Sequence, residues 1–223
     1  MPTSLDILRR DGLPDGAELG LSGQPAELRK AGDGARMLVG YAAVFNSMSH
    51  DLGGFREIIR PGAFAQSLEE SPDVAARIQH AGGLSTIGRT TNGTLRLKED
   101  DFGLRYEVDL PPTTAGNDIA ILVERGDISK SSFAFTLRDD GETEPQRWHF
   151  DQDPAMRELF NLNLHDVAPV DGPAYEATSV MVRDGAEDKI TAAKLAEERR
   201  LHARVAEENA ALYRQQYGLE DVI

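Results

Sequence analysis

The chain has 223 residues, of which 40% are hydrophobic and 28% are charged, a length and composition that favour one domain with a buried core plus terminal extensions. Acidic residues outnumber basic ones by 38 to 24, and the formal net charge is -14. Because nucleic acids and anionic membrane surfaces attract basic faces, this balance argues against either as a partner. The acidic excess lies mainly in residues 37–183, which hold 23 acidic and 13 basic residues.

The sequence contains no cysteine, which excludes disulfide bonds, thiol nucleophiles and cysteine-based zinc sites. No stretch reaches the roughly 20 apolar residues that cross a bilayer, and residues 1–10 lack the basic start and apolar run of a secretory signal. We therefore expect a soluble protein that works in the compartment where it is made. Since no phosphate-binding glycine loop or dinucleotide fingerprint occurs, we predict no cofactor.

The chain divides into three parts by composition. Residues 1–36 are predicted to be a flexible leader, because residues 11–36 are rich in Gly, Pro, Asp and Ala without a sustained period. Residues 37–183 are predicted to form a mainly β (α+β) domain. Its strands are expected at residues 37–45, 55–60, 74–80, 94–98, 104–110, 128–137, 159–167 and 179–183. Its helices are expected at residues 63–70 and 119–125, the second with a capping residue before it and a glycine after it.

Residues 184–223 form the third part, a C-terminal amphipathic helix and tail. The segment is dominated by Ala, Glu, Arg and Leu, and it predicts a helix over residues 184–217. Its apolar positions fall on one narrow stripe, which favours a mostly solvated helix docked on its own domain. The alternative is a helix that binds a partner or a scaffold protein.

A cluster of serines before two phenylalanines carries the first chemical signal. In a strand, Ser131, Phe133 and Phe135 share one face, which the aromatic residues mark as the core face. Ser132 then lies on the opposite face beside the small Ala134, with space above it. Such a serine can be a nucleophile if an imidazole reaches its hydroxyl, although a solvated surface serine fits the same pattern.

Three of the five histidines, His80, His149 and His165, lie at or near predicted strand ends, where a rigid scaffold can hold an accessible base. His165 is followed by Asp166, and adjacent residues in a strand point to opposite faces. Only one of the two can therefore face a given site, and the spacing does not choose between them. His149 and Asp151, together with the 165–166 pair, could also supply metal ligands. No spacing places such a site in one element, so no metal site is predicted.

Eight short blocks follow one another in order between residues 38 and 183. Examples are GFREIIRPGAF at residues 54–64 and VAPVDGPAY at residues 167–175. In their number and order these blocks resemble the prohead (capsid maturation) proteases of tailed phages, which are related to herpesvirus assemblin. The blocks cover residues 40–46, 54–64, 87–90, 93–97, 103–111, 126–135, 167–175 and 178–179.

The resemblance implies a serine endopeptidase whose fold is a mostly antiparallel β-barrel with helices around it. It assigns the histidine of the family's Asn-His-Asp block to His80, although the flanking residues here are Gln and Ala. It assigns the nucleophile, which is the serine before Phe-x-Phe, to Ser132, and the third catalytic residue to Asp166. Because the viral assemblins use a second histidine in that role, His165 is the alternative third member.

The resemblance also implies the biology. We expect processing of the major capsid protein, of scaffold segments and of the chain itself, inside the immature capsid in the host cytoplasm. Self-association into a dimer is implied by analogy with the assemblins. The alternative is a catalytically weak or inactive capsid-assembly or scaffolding protein with the protease fold, which the altered histidine block favours. No arginine lies between Asp166 and Arg183, where assemblins carry an oxyanion-hole arginine, so the oxyanion donors stay open.

Overall fold

The structure, a computed structural model, describes residues 18–22, 26–30 and 36–171. Within these ranges the chain is built mostly of strands, which confirms the predicted mainly β class. The elements are β1 (Glu18–Ser22), β2 (Ala26–Lys30), β3 (Arg36–Val44), β4 (Phe55–Ile59), α1 (Ala65–Glu69), β5 (Ala75–Arg77), β6 (Thr86–Arg89), β7 (Leu95–Glu99), β8 (Gly103–Asp109), α2 (Thr114–Glu124), β9 (Lys130–Leu137), β10 (Gln146–His149), β11 (Ala155–Leu159) and β12 (Leu162–Val170).

The strands are divided among three sheets. A five-stranded sheet has the order β1-β9-β12-β5-β6, a four-stranded sheet has the order β2-β3-β8-β7, and a three-stranded sheet has the order β10-β11-β4. Within the described ranges none of these sheets closes on itself, so the predicted β-barrel is not confirmed. No pairing joins the two edge strands of any one sheet, as closure of a barrel requires.

Strands β3, β4, β7, β8 and β9 lie within a few residues of their predicted positions, whereas β6 and β10 were not predicted. The strand expected at residues 159–167 is two strands in two sheets. The N–H groups of Phe160 and Asn161 both donate to the carbonyl of Pro145, and between Leu159 and Leu162 the chain passes from the three-stranded to the five-stranded sheet. Residues 159–167 contain no glycine or proline to mark such a change of sheet, so the sequence predicted one strand.

Two strands, β1 and β2, lie inside the segment predicted as a flexible leader. β1 pairs antiparallel with β9, and β2 pairs antiparallel with β3. The backbone groups at the edges of β9 and β3 provide pairing partners that the local composition does not reveal. The strand expected at residues 179–183 and the helix expected at residues 184–217 lie outside the described residues, and the predicted domain bounds stay predictions.

The five-stranded and four-stranded sheets contribute to one hydrophobic core. Phe133 and Phe135 are fully buried and stack with their ring centroids 5.3 Å apart, as expected of the core face of β9. Tyr106 of β8 is also fully buried, and its hydroxyl lies 2.9 Å from Oγ of Ser131. This hydrogen bond joins the two sheets inside the core. Gly40 makes room for the tyrosine, because a Cβ there would come within 2.8 Å of the ring.

Helix α2 is the capped helix expected at residues 119–125, but it begins earlier, at Thr114. The hydroxyl of Thr113 accepts a hydrogen bond from the N–H of Gly116, and Ile119 and Val123 are buried in the core. After the helix, Gly126 has a φ of 79°, in the left-handed region that suits glycine at a helix end. Among the described residues, no helix combines the length and apolarity needed to cross a bilayer.

Candidate active site

The serine predicted as the nucleophile lies on β9, an inner strand of the five-stranded sheet. β9 runs between β1 and β12, and Ser132 is opposite Leu21 on one side and Ala168 on the other. Its side chain is completely buried, so the predicted open space above it is wrong. Part of the cover is His80, whose imidazole is in hydrogen-bond contact with the serine hydroxyl.

His80 reaches this serine because the chain turns sharply after β5. The strand ends at Arg77 and leads into a 3₁₀ turn, Ile78–His80. Two consecutive residues of the turn have left-handed backbone conformations, with a φ of 55° at Gln79 and 56° at His80. For a residue other than glycine this conformation costs about 1–2 kcal/mol, and it persists only where surrounding contacts hold it. The contacts of the His80 imidazole are of that kind.

The imidazole of His80 bridges Ser132 and Asp166. Its Nε2 lies 2.6 Å from Oγ of Ser132, and its Nδ1 lies 2.6 Å from Oδ1 of Asp166. Because an ionised carboxylate can only accept, Nδ1–H donates to Asp166, which leaves Nε2 to accept from the serine hydroxyl. His80 is 4% exposed and Asp166 is 0% exposed, so both hydrogen bonds are shielded from water.

A β-bulge decides which residue of the 165–166 pair meets His80. Leu164 lies opposite the core-facing Phe135, whereas Asp166 lies opposite Ala134, which shares its face of β9 with the serine. His165 is therefore an extra residue in β12. The bulge shifts the phase of the strand, as bulges beside functional sites commonly do, and turns the aspartate toward the serine face.

His165 lies over the same face but has a different partner. Its Nε2 is 3.0 Å from Oγ1 of Thr136, which has the same parity in β9 as Ser132. The prediction that the two adjacent residues point to opposite faces is therefore wrong, and the bulge is the reason. Burial lowers the pKa of His165 below its usual value, while the carboxylate of Asp166 opposes that shift. The structure thus brings Asp166, and not His165, to the Nδ1 of His80.

One charged neighbour of the site was not predicted from the sequence. Nη1 of Arg77 lies 3.4 Å from Oδ2 of Asp166. β5 and β12 pair in parallel with Ala75 opposite Asp166, and Arg77 has the same parity as Ala75. Nothing in the local sequence distinguishes this arginine from others, because the contact depends on the pairing of two strands that are distant in sequence.

The remaining histidine candidates are not part of this arrangement. His149 lies in the three-stranded sheet, with its Nε2 at 2.7 Å from Oε2 of Glu158. His50 lies in the loop before β4, where its carbonyl accepts a hydrogen bond from the Ser49 hydroxyl, and His202 lies outside the described residues. In the part of the chain that the structure describes, no group of three or more His, Cys, Asp or Glu side chains could hold a metal ion.

The arrangement has the parts that an activated serine nucleophile requires. The hydroxyl of Ser132 is bonded to a base, and a carboxylate holds that base in one orientation and one tautomer. These contacts are made by residues from three separate elements, namely β9, the turn after β5, and β12. The chemistry that such a set can perform is acyl transfer through a covalent serine ester.

The match of this chain to a protein family agrees with this chemistry. Residues 24–192 match a protein family described as the caudovirus prohead serine protease, which confirms the resemblance indicated by the ordered sequence blocks. A solved structure similar to this chain is the capsid assembly protease gp21 of bacteriophage T4. Its sequence is 10% identical, the match covers 70% of this chain and 98% of that chain, and the TM-score is 0.41. No curated protein sequence matches the chain.

Proposed function

The chain belongs to the caudovirus prohead serine protease family, and from this premise we propose that it is a serine endopeptidase with Ser132 as its nucleophile. The observation that carries the proposal is the continuous hydrogen-bonded chain from Ser132 through His80 to Asp166. These partners lie 52 and 86 residues from the histidine in sequence, so only the fold can bring them together. The same three residues are those that the family pattern assigns.

Each side chain has a defined role in the proposed reaction. Oγ of Ser132 attacks the carbonyl carbon of the scissile bond, and its proton passes to Nε2 of His80. The C–N bond then breaks as the imidazolium returns that proton to the leaving amine. Water hydrolyses the acyl ester in the same way, with His80 again taking and returning a proton. Asp166 holds Nδ1–H throughout and stabilises the imidazolium.

The burial of the serine adds a step to this mechanism. Because Ser132 is 0% exposed, a peptide reaches its Oγ only after the atoms that cover it have moved. In the proposed mechanism substrate binding accompanies this movement, as loop and domain motions accompany substrate binding in other enzymes.

The proposed substrates are the major capsid protein, scaffold segments, or both, together with the chain itself. The proposed place of action is the immature capsid within the host cytoplasm. The family description supports both, since it names a protease of the prohead in tailed phages. A dimer of this chain is the remaining proposed association.

Labelling with a fluorophosphonate, a reagent for activated serines, tests the nucleophile without a known substrate. The wild-type chain should be labelled at Ser132, as identified by mass spectrometry, and Ser132→Ala should not. Loss of the base in His80→Ala should slow labelling by about a thousandfold or more. The matched control is Ser131→Ala, because Ser131 is adjacent and equally buried but bonds to Tyr106 instead of the histidine. It should label close to the wild-type rate.

Incubation with the major capsid protein then tests the substrate. Wild type should cleave it and Ser132→Ala should leave it intact, and equal processing by the two would refute the nucleophile assignment. A wild-type chain that neither labels nor cleaves, but still binds the capsid protein, would favour the alternative of an inactive capsid-assembly or scaffolding protein. Mass spectrometry of the wild-type chain after long incubation would show any self-cleavage.

A further inference from the structure

Both oxygens of the buried Asp166 carboxylate have a partner. Oδ1 accepts from Nδ1 of His80 at 2.6 Å, and Oδ2 faces Nη1 of Arg77 at 3.4 Å. The arginine side chain is 15% exposed and the aspartate side chain is 0% exposed, so the pair lies where water screens it weakly. The hydrogen-bonded chain of the site therefore continues one residue beyond the three that the family pattern assigns.

A single short segment supplies both partners of the carboxylate. Arg77 is the last residue of β5, and the 3₁₀ turn that follows ends at His80. The parallel pairing of β5 with β12 sets the arginine beside the carboxylate, and the left-handed turn brings the imidazole back to it. The segment thus supplies Asp166 with two partners, the guanidinium of Arg77 and the imidazole of His80.

We propose that Arg77 is a positioning residue of this site, which orients the Asp166 carboxylate and offsets part of the negative charge that His80 meets. The inference rests on the proposed function of the triad. A carboxylate held through one oxygen can still rotate, whereas contact at the second oxygen restricts it. A nearby cation also disfavours a second positive charge beside it, so Arg77 should affect the pH dependence of a reaction in which the imidazole gains a proton.

The effect on the charge of Asp166 is assigned to Arg77 after comparison with the other groups near that carboxylate. From β9, the residues of the same parity are the neutral Ser132 and Ala134, with Lys130 at the far end of the strand. From β12 itself, His165 is hydrogen-bonded to Thr136. Among the described residues, Arg77 is the permanent cation in ion-pair contact with Asp166.

The pH dependence of Ser132 labelling by the fluorophosphonate tests the inference. In Arg77→Gln, the midpoint of the acid limb should move to higher pH by roughly one unit, and the plateau rate should fall about tenfold as the carboxylate loses its orientation. Arg77→Lys keeps the charge and should retain the wild-type midpoint. Arg89→Gln is the matched control, since Arg89 lies on the neighbouring strand β6 but pairs with Asp73 at the surface.

A midpoint that does not move in Arg77→Gln would overturn the inference, even if the rate falls, because a merely structural loss lowers the folded fraction without changing the midpoint. If thermal unfolding shows that this variant does not fold, Arg77→Lys decides. A wild-type midpoint with a reduced plateau supports the inference, and a shifted midpoint overturns it. Failure of the proposed function is distinguishable from these outcomes, because it appears as absent labelling in the wild-type chain.

Discussion

Two clusters with the same three kinds of charged or titratable group lie in different sheets of this protein. Each joins a histidine to a carboxylate and the carboxylate to an arginine, and the nitrogen–oxygen distances between histidine and carboxylate are alike, at 2.6 and 2.7 Å. The buried cluster lies in the five-stranded sheet and consists of His80, Asp166 and Arg77. The outer cluster lies in the three-stranded sheet and consists of His149, Glu158 and Arg60.

The clusters differ in burial and in the partner of the histidine ring nitrogen that does not contact the carboxylate. In the buried cluster, Nε2 of His80 is bonded to the hydroxyl of Ser132. In the outer cluster, the side chain of His149 is 25% exposed, and Arg60 donates to the carboxylate from both Nε and Nη2. A histidine–carboxylate–arginine set is therefore by itself a structural contact. It becomes a candidate for catalysis when the fold brings a nucleophile to the free nitrogen.

The outer cluster has the electrostatics of a stabilising contact. Burial would raise the pKa of Glu158, but hydrogen bonds from His149 and Arg60 outweigh it and hold that pKa below its usual value. A carboxylate whose pKa is lowered on folding contributes stability above its unfolded pKa, and the contribution is lost as the pH falls through the folded value. The cluster ties β10 and β11 to the end of β4 in this way.

The largest expected difference between the clusters is in the effect of removing their histidines. His80→Asn should slow the labelling of Ser132 by about 10⁴-fold or more, because the hydroxyl loses its base. His149→Asn should leave the labelling rate close to that of wild type, since His149 touches Glu158 and not the serine. Measured rates that fall equally in the two variants would contradict the separation of the clusters.

Removing the carboxylates should separate catalysis from stability. Asp166→Asn should lower the labelling rate by roughly 10³–10⁴-fold, because the amide no longer imposes the correct tautomer on His80. Glu158→Gln should instead lower the free energy of unfolding by about 1–3 kcal/mol and leave the labelling rate near wild type. Denaturant titrations at several pH values check the second result, since the variant should lose less stability than wild type below pH 4.5. Reversed effects in the two variants would contradict these assignments.

The backbone strain at Gln79, next to the buried cluster, predicts a smaller effect on stability. Gln79 has a φ of 55°, a conformation that asparagine and glycine tolerate better than glutamine does. Gln79→Asn, which restores the residue expected from the family pattern, should raise the free energy of unfolding by about 1 kcal/mol. Gln79→Ala is the control, because alanine gains no left-handed preference and should not stabilise the protein. A gain in the alanine variant of the same size would show that the strain is not the cause.

The smallest effect is expected for His165. Its Nε2 contacts the hydroxyl of Thr136, whereas ring nitrogens of His80 and His149 contact carboxylates. Because burial lowers the pKa of His165 from 6.5, the unfolded chain binds the proton more readily than the folded one. Stability should therefore decrease as the pH falls below about 6.5, and His165→Gln should weaken this decrease. Unfolding free energies measured by denaturant titration between pH 7.5 and pH 5 check the sign. An unchanged slope in the variant would contradict it.

Local patterns in the sequence predicted a good part of this fold. The alternation in β9 correctly placed Phe133 and Phe135 in the core, and the capping residue and apolar face correctly predicted α2. The patterns did not predict β1 and β2, whose formation depends on pairing with β9 and β3. They also did not predict the burial of Ser132, because the imidazole that covers it comes from a segment 52 residues away.

By itself, the sequence determined the family and the positions of the serine, the histidine and the 165–166 pair, since these depend on ordered local blocks. The tertiary structure decided which member of that pair meets His80. Parity along β12 could not decide it, because the bulge at His165 changes the phase of the strand, and a bulge is a property of the pairing with β9. The contact of Arg77 with Asp166 was likewise decided by the pairing of β5 with β12, which joins residues that are 89 positions apart.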